Sequence, residues 1–445
     1  MATICVDGYN IALPHGTGIA TYGRNLLKAA NTSGFETHVL FGPKQKLSKN
    51  NIVNESLLVE VDRSKKNKIS RKDKIFRSIE TRIGLFGLDM TIIPRTNEVF
   101  WPRPIEATQF WAAQGLFDRA NRGFQLYERF TPITFSGTFQ PDVMHWTVPL
   151  PVFARNVPNI YTIHDLIPVQ FPHTTLNDRN KFMRLHQQAV KKADHIAVVS
   201  EKTRQDVLRI LGVSEKRVTN TYQTFHLPDS FNKEKLSVEI ELDSMLSLGW
   251  KEYFLHFGAI EPKKNLGRIV EAYLSSGIKT PLVVVGGRGW LREDELALLE
   301  QYRRDSQLND KKIRFYEYMS HDMLISLIRG AKATVFPSLY EGFGLPILES
   351  MALSTAVITS TAGALPEVAG DAAIIVDPLD VQALARALLA IDSDEALRRE
   401  LENRGRIQAS RFSPEAYQAR LLDLYAKVGV SPATPKSKAS TAPLA

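Results

Sequence analysis

Residues 338–352 read SLYEGFGLPILESMA and set two carboxylates, Glu341 and Glu349, among glycines and core-type residues. The preceding run, ATVFPS (333–338), has the composition of a buried strand. LYEGFG supplies a turn, and LPILESMAL a helix with Pro346 at an early position where its missing N–H is no loss. Gly342 and Gly344 permit backbone conformations closed to other residues and leave room for a ligand against the main chain. A strand, a glycine turn and a helix start point free N–H groups and the positive end of a helix dipole into the crevice at the carboxyl ends of the strands. Such a place suits an anion such as phosphate. Glu349 has the chemistry to accept hydrogen bonds from a vicinal diol such as ribose, and Glu341 to reach a second polyol or a developing positive charge. A sugar nucleotide would satisfy all of these groups. The plainer alternative makes Glu349 a helix cap and Glu341 a solvated charge. It fits either glutamate alone, but an unpaired carboxylate on an apolar helix face is costly.

Other stretches carry chemistry of the same kind. GAIEPKKN (258–265) places Lys263 and Lys264 after a strand and before a helix beginning near Leu266, where cations can neutralise a diphosphate leaving group. His164 ends the strand-like IYTIHD, a position more often held by a structural hydrogen-bonding histidine, and Asp165 reads as a turn stabiliser. In PHGTGIATYG, Gly16 and Gly18 give only part of a dinucleotide fingerprint. Glu367, in TAGALPEVAG, lies in a loop after a strand and fits a cap of the following turn. Residues 62–86 concentrate Lys65, Lys66, Lys68, Arg71 and Lys72 among apolar residues near helical spacing, which suits either an anionic membrane surface or a solvated loop. The lone Asp-x-Asp, Asp392 and Asp394, lies between helical stretches where Asp most simply caps, so no metal is expected.

The elements that must position these groups alternate strand and helix. Strand-like runs occur at 3–8, 37–42, 143–147, 160–165, 195–200, 253–258, 281–287, 313–318, 333–338, 356–360 and 372–378. Several are continuously apolar, as strands covered on both faces are, and this predicts an α/β protein built on parallel sheets. The series pauses over 223–250, so two domains are expected, 1–230 and 231–412. A final helix over 413–429 is expected to return to the first domain, and the Pro- and Ser-rich residues 430–445 to be disordered.

The 445 residues are enough for two or three cores at about 100–200 residues each. No apolar run approaches the roughly 18 residues of a membrane span, and the start lacks a leader pattern, so a cytoplasmic protein is expected. The single cysteine, Cys5, in a buried-strand pattern, predicts a core thiol. A net charge of +8 favours anionic partners.

The glutamate-bearing segment resembles the signature of family 4 glycosyltransferases of the GT-B fold, in which seven residues lie between two glutamates, and in that family the loop that carries Glu367 here lies near the nucleotide site. FGAIEPKKNLGRIVEAY (257–273), YMSHDMLISLIRGAKATVFPS (318–338), TAGALPEVAGDAAIIVDPLD (361–380), YTIHDLIPVQFP (161–172) and VDGYNIALPHGTGIATYGRNLL (6–27) follow the family's order, the match being weakest at about 43–140. The resemblance implies two Rossmann-like doubly wound domains facing a cleft, the first binding acceptor and the second binding donor. It implies retaining transfer of a hexosyl residue from a nucleoside-diphosphate sugar. Glu341, His164 and Lys264 would take part in the chemistry, Lys264 as the phosphate-binding lysine and His164 against the transferred sugar. Donor binding would fall to Gly18, Gly258, Lys263, Lys264, Arg288, Glu341, Gly342, Phe343, Gly344, Leu345 and Glu349. Many members carry an arginine directly after the glycine where this chain has Ala259, which leaves Lys263 or Arg288 as the second cation.

The form GAIEPKKN is similar to a branch that transfers mannose and deoxyhexoses in bacterial surface polysaccharides. GDP-mannose therefore leads as donor, ahead of other GDP- or UDP-sugars (rhamnosyl, fucosyl, glucosyl, GlcNAc), with a lipid-linked saccharide or polysaccharide as acceptor. Such enzymes often meet lipid-linked acceptors at the inner face of the membrane, which implies peripheral contact through residues 62–86. Two rivals are a nucleotide-sugar 2-epimerase, which needs no acceptor, and a non-catalytic nucleic-acid-binding protein. The second would interleave its basic residues with exposed aromatics, yet the lysine-rich run holds only Phe76 and Phe86.

Overall fold

The structure, a computed structural model, describes residues 1–11, 18–59, 86–102, 104–135, 140–226, 233–287, 292–305 and 312–432. Two sheets organise it. The first, with strands numbered in chain order, runs β10 (Val218–Asn220), β9 (His195–Val198), β8 (Asn159–Ile163), β6 (Val143–Trp146), β1 (Thr3–Asp7), β2 (Glu36–Phe41), β4 (Gln109–Ala112), β3 (Leu88–Ile93), β5 (Thr131–Phe135) and β7 (Val152–Ala154). The second runs β13 (Ile313–Tyr316), β12 (Leu282–Val285), β11 (Phe254–Phe257), β14 (Ala333–Phe336), β15 (Ala356–Ser360) and β16 (Ile374–Val376). All described pairings are parallel except β3 with β4. The uniformly buried strands β1, β8 and β15 are each paired on both edges inside their sheets, as their unbroken apolar runs predict.

Every run read as strand from the sequence contains one, but β3, β4, β5, β7 and β10 were not anticipated. They are short, and β3 leaves three of its six residues exposed, so it has no continuous apolar run to announce it. β5 begins Thr-Pro, a pair that argues against a strand.

Strand order reverses between β1 and β6 in the first sheet and between β11 and β14 in the second. At each reversal the loops leaving adjacent strands diverge to opposite faces, and a crevice opens at the strands' carboxyl ends. Lys263 and Lys264 after β11 and Glu341 after β14, singled out by chemistry, lie at the second reversal; at the first, Asp7 ends β1, and His164 follows β8, the strand next to β6.

The segment of weak periodicity holds the helix Lys235–Leu246, with Val238 and Leu242 buried. Gly330 beneath it admits no side chain, since a Cβ there would overlap Leu242 Cδ1. The helix Glu395–Ser410 packs on the helix Leu345–Ala352, so both belong to the second sheet's domain. The chain then crosses back: the helix Pro414–Ala426 packs on the helix Gly18–Thr32 of the first domain. Tyr425 lies with its ring 5.3 Å from that of Phe35, and its hydroxyl is 2.9 Å from His145 Nδ1. The tail beyond 432 and most of the basic stretch 62–86, including Lys65, Lys66, Lys68, Arg71 and Lys72, lie outside the described residues. Among the described residues no helix is long and apolar enough to cross a membrane.

Candidate active site

The second sheet's crevice is built from two loops tied to each other. Asn265, in the left-handed region at φ 64°, donates through Nδ2 to the carbonyls of Pro337 (2.9 Å) and Pro378 (2.7 Å). Leu339 N–H donates to the Lys263 carbonyl at 2.7 Å. This brings Lys264 Nζ to 2.6 Å from Glu341 Oε1. Burial pushes the Glu341 carboxyl up, but Lys264 and Lys263 outweigh it and hold the group below its ordinary range. Lys263 is 3.1 Å from Glu261, and the carboxylates of Glu341, Glu261 and Asp165 overcome its burial and hold its ammonium above the usual value. Lys263 is therefore held in its charged form, and Lys264 stands paired with Glu341 at the crevice. Gly258, at φ 125°, has open space where a side chain would stand, so a ligand can approach the main chain there.

The helix Leu345–Ala352 starts at Gly344 with no side-chain cap. Glu349 lies on its second turn, half-buried, and caps nothing; its carboxylate has no hydrogen-bond or ion-pair partner among the described residues. Burial alone pushes it up to about 7. Phe343 turns inward, its ring 5.6 Å from Phe412 and 6.4 Å from Tyr222, and Leu345 packs partly against the same core.

Across the cleft, His164 Nε2 donates to the Thr147 carbonyl at 2.9 Å, which fixes the tautomer and leaves Nδ1 as an acceptor. Burial lowers its pKa to about 4, so the ring is neutral at physiological pH. The Tyr22 ring meets it edge-on with centroids 4.9 Å apart. Asp165 accepts from Ile167 N–H at 3.0 Å, the turn role read from the sequence. Gly18, the first residue of its helix, is exposed with open space around it. Residues 12–17, including Gly16, and Arg288 lie outside the described residues.

The glycine turn is also where the domains touch. A Cβ on Gly342 would overlap the His164 carbonyl oxygen, so the Glu341 loop rests directly on the first domain's backbone. Thr203 Oγ donates to the same carbonyl at 3.0 Å. Tyr340 OH donates to the buried Asp206 at 2.6 Å, and Glu367 accepts from Glu201 N–H (2.6 Å) and Lys202 N–H (3.0 Å). Glu367 thus corrects the reading as a cap of the following turn: it caps a helix, Glu201–Leu211, in the other domain, where free N–H groups and the helix dipole attract a carboxylate.

Asp394 caps the helix Glu395–Ser410, while Asp392 accepts from Thr280 Oγ and Lys332 Nζ, each at 2.6 Å. Sequence reasoning missed Asp7, Thr147, Thr203, Asp206 and Tyr340. Of these only Asp7 left a signal, an acid closing an otherwise apolar strand.

Comparison with known proteins gives this geometry its context. Residues 244–408 match the family described as Glycosyl transferases group 1, and residues 102–222 the family described as Glycosyltransferase Family 4. O-antigen chain mannosyltransferase B of Escherichia coli is 32% identical over 275 residues, 60% of this chain and 69% of that protein. Serotype-specific mannosyltransferase WbdA of Escherichia coli is 30% identical over 281 residues, 60% of this chain but only 33% of that longer protein. O-antigen chain mannosyltransferase RfbU of Salmonella typhimurium is 28% identical over 248 residues, 56% of this chain and 63% of that protein. Among solved structures, sucrose-phosphate synthase from Thermosynechococcus elongatus superposes with a TM-score of 0.66 at 18% identity, covering 96% of this chain and 99% of that one. Anabaena HepE in complex with UDP and glucose gives 0.64 at 13% identity, covering 96% and 100%. At such identities the structures speak for the fold alone. Taken with the two family matches, the two parallel-sheet domains and their paired crevices identify the chain as a member of the group 1, family 4 glycosyltransferases of the GT-B fold.

Proposed function

We propose that this chain transfers a mannosyl residue from GDP-mannose, with retention of configuration, to a hydroxyl of a lipid-linked or polysaccharide acceptor in cell-surface polysaccharide assembly. The observation that carries this reading is the Lys264–Glu341 pair at the strand-order reversal, beside the unpartnered carboxylate of Glu349. The mannosyltransferase names of the relatives support the choice of sugar.

The donor diphosphate lies over Gly258 and draws Lys264 away from Glu341, with Lys263 as the second cation. Glu349 accepts the ribose diol. Glu341, released from its lysine, faces the sugar, where a carboxylate steadies the positive charge that develops at the anomeric carbon. The bond from that carbon to the phosphate oxygen breaks, and its electron pair leaves with the diphosphate. The acceptor oxygen bonds to the same face of the carbon, and its proton passes to the leaving phosphate oxygen. His164, neutral, orients the sugar and takes no proton. The lysines and helix terminus supply the positive charge a metal would otherwise provide, so no metal is required. Contact between the domains excludes the water that would hydrolyse the donor. The basic residues 62–86 hold the protein at an anionic cytoplasmic membrane face, near a lipid-linked acceptor.

The test is turnover of a panel of GDP- and UDP-sugars by purified protein, with and without membrane extract, for wild type, Glu349→Ala and Lys264→Ala. GDP release that requires both GDP-mannose and the extract, and that collapses in both variants, is expected. Consumption of another donor overturns the choice of mannose, and wild-type turnover in both variants overturns the site.

A further inference from the structure

Asp7 ends β1 at the first sheet's strand-order reversal and is fully buried. Its Oδ2 accepts from Thr147 N–H, and its Oδ1 from Thr147 Oγ and Tyr9 N–H, both at 3.2 Å. No cation pairs with it among the described residues. A buried carboxylate without a counter-charge is expensive, and burial pushes this one up to about 6 against the pull of those hydrogen bonds. A turn needs far less, because an exposed Asn or Ser would serve it.

What the carboxylate holds is Thr147, the first residue after β6, by both its N–H and its hydroxyl. The carbonyl of that same residue is the acceptor that fixes His164 Nε2–H. His164 has its main-chain oxygen tied to Thr203 and covered by Gly342, and Tyr22 closes one side of its ring. Among the described residues the Thr147 carbonyl is thus the one hydrogen-bond partner of the imidazole itself, and Thr147 is held through its N–H, its hydroxyl and its carbonyl.

We propose that Asp7 is a positioning residue of glycosyl transfer: anchored between β1 and β6, it holds the Thr147 carbonyl that sets the tautomer and direction of His164. The idea rests on the reading above, in which His164 orients the transferred sugar. A ring free to rotate would present N–H or lone pair at random, and misplacement by about 1 Å at such a site can cost on the order of 100-fold in rate.

The test is a double-mutant cycle on donor kcat/KM with Asp7→Asn, His164→Ala and the pair. Asp7→Glu, which keeps the charge but moves it by one methylene, is carried in parallel in case Asp7→Asn does not fold. The expected result is a loss on the order of 10-fold or more in each Asp7 variant, no further loss when it is added to His164→Ala, and a shift of the His164 imidazole nitrogen NMR signals away from the pure Nε2–H tautomer. Losses that multiply, or Asp7 variants with wild-type kinetics and an unchanged tautomer, overturn the role of Asp7 alone. Wild-type transfer by His164→Ala overturns the reading of His164 and the role of Asp7 with it.

Discussion

Glu349→Gln should make the free protein more stable at pH 8 while weakening its hold on the donor. The carboxyl sits half-buried on the helix Leu345–Ala352 with no partner among the described residues, and burial alone raises it from 4.5 to about 7. Below pH 4.5 the group is protonated in both the folded and unfolded chain. Between there and about pH 7 the folded state keeps a proton that the unfolded state has lost, so stability falls as pH rises and then levels off. The shift caps the penalty at about 3 kcal/mol, and water reaching the crevice mouth brings the expected relief from Gln to ~1–2 kcal/mol. Urea titrations at pH 5 and pH 8 measure it: a gain at pH 8 that shrinks at pH 5. A bound ribose diol reverses the sign, because hydroxyls donating to the carboxylate favour its charged form. Nucleotide binding near pH 7 should then release part of a proton in wild type and none in Glu349→Gln, seen by calorimetry in buffers of different ionisation enthalpy. Affinity should fall ~10–100-fold with the loss of hydrogen bonds to a charged group. A Gln variant no more stable than wild type at pH 8, with nucleotide affinity intact, would refute the reasoning.

Lys264→Ala should lower kcat ~100–1000-fold, the usual effect of removing one preorganised donor to a developing charge; a loss confined to KM in steady-state assays would show that it serves ground-state binding only. Gly342→Ala should force the Glu341 loop off the His164 carbonyl, giving slower transfer with near-normal nucleotide affinity and a larger radius of gyration in solution scattering; unchanged scattering and rate would mean the contact is not needed for closure. Glu367→Gln should weaken the cap on Glu201–Leu211 by ~1 kcal/mol and raise the ratio of open to closed molecules, readable as increased donor hydrolysis relative to transfer. Because His164 is already neutral above about pH 4, the pH profile of kcat/KM should show no limb from it between 6 and 9, and an inflection there that disappears in His164→Ala would contradict its assignment.

The second domain was legible because four of its strands, β11, β12, β14 and β15, are fully buried and its glycine turns and lysines follow strand ends closely. Lys264 and Glu341 lie 77 positions apart in sequence, yet both could be placed in one crevice by knowing only which strand each one follows. The outer part of the first sheet was not legible: β3 mixes exposed and buried residues without a period of two, β7 and β10 have three residues each, and β5 carries a proline. Glu367 illustrates a different limit. Nothing local says that it caps a helix 166 residues earlier, since that depends on how two domains meet. Asp7 was visible as an odd acid in a core strand, but its partner Thr147 carries no pattern of its own.

The return of the last helix to the first domain constrains how the protein is made. Tyr417, Leu421 and Tyr425 complete the core beside Tyr22 and Phe35, so the first domain lacks a wall until the helix Pro414–Ala426, made after the whole second domain, has been synthesised. The second domain, whose strands and helices lie in one continuous stretch, has everything it needs sooner. Synthesis order and folding order are therefore reversed at the end: the first-made domain is the last to close, and a chain stalled before Pro414 would expose an apolar face to chaperones.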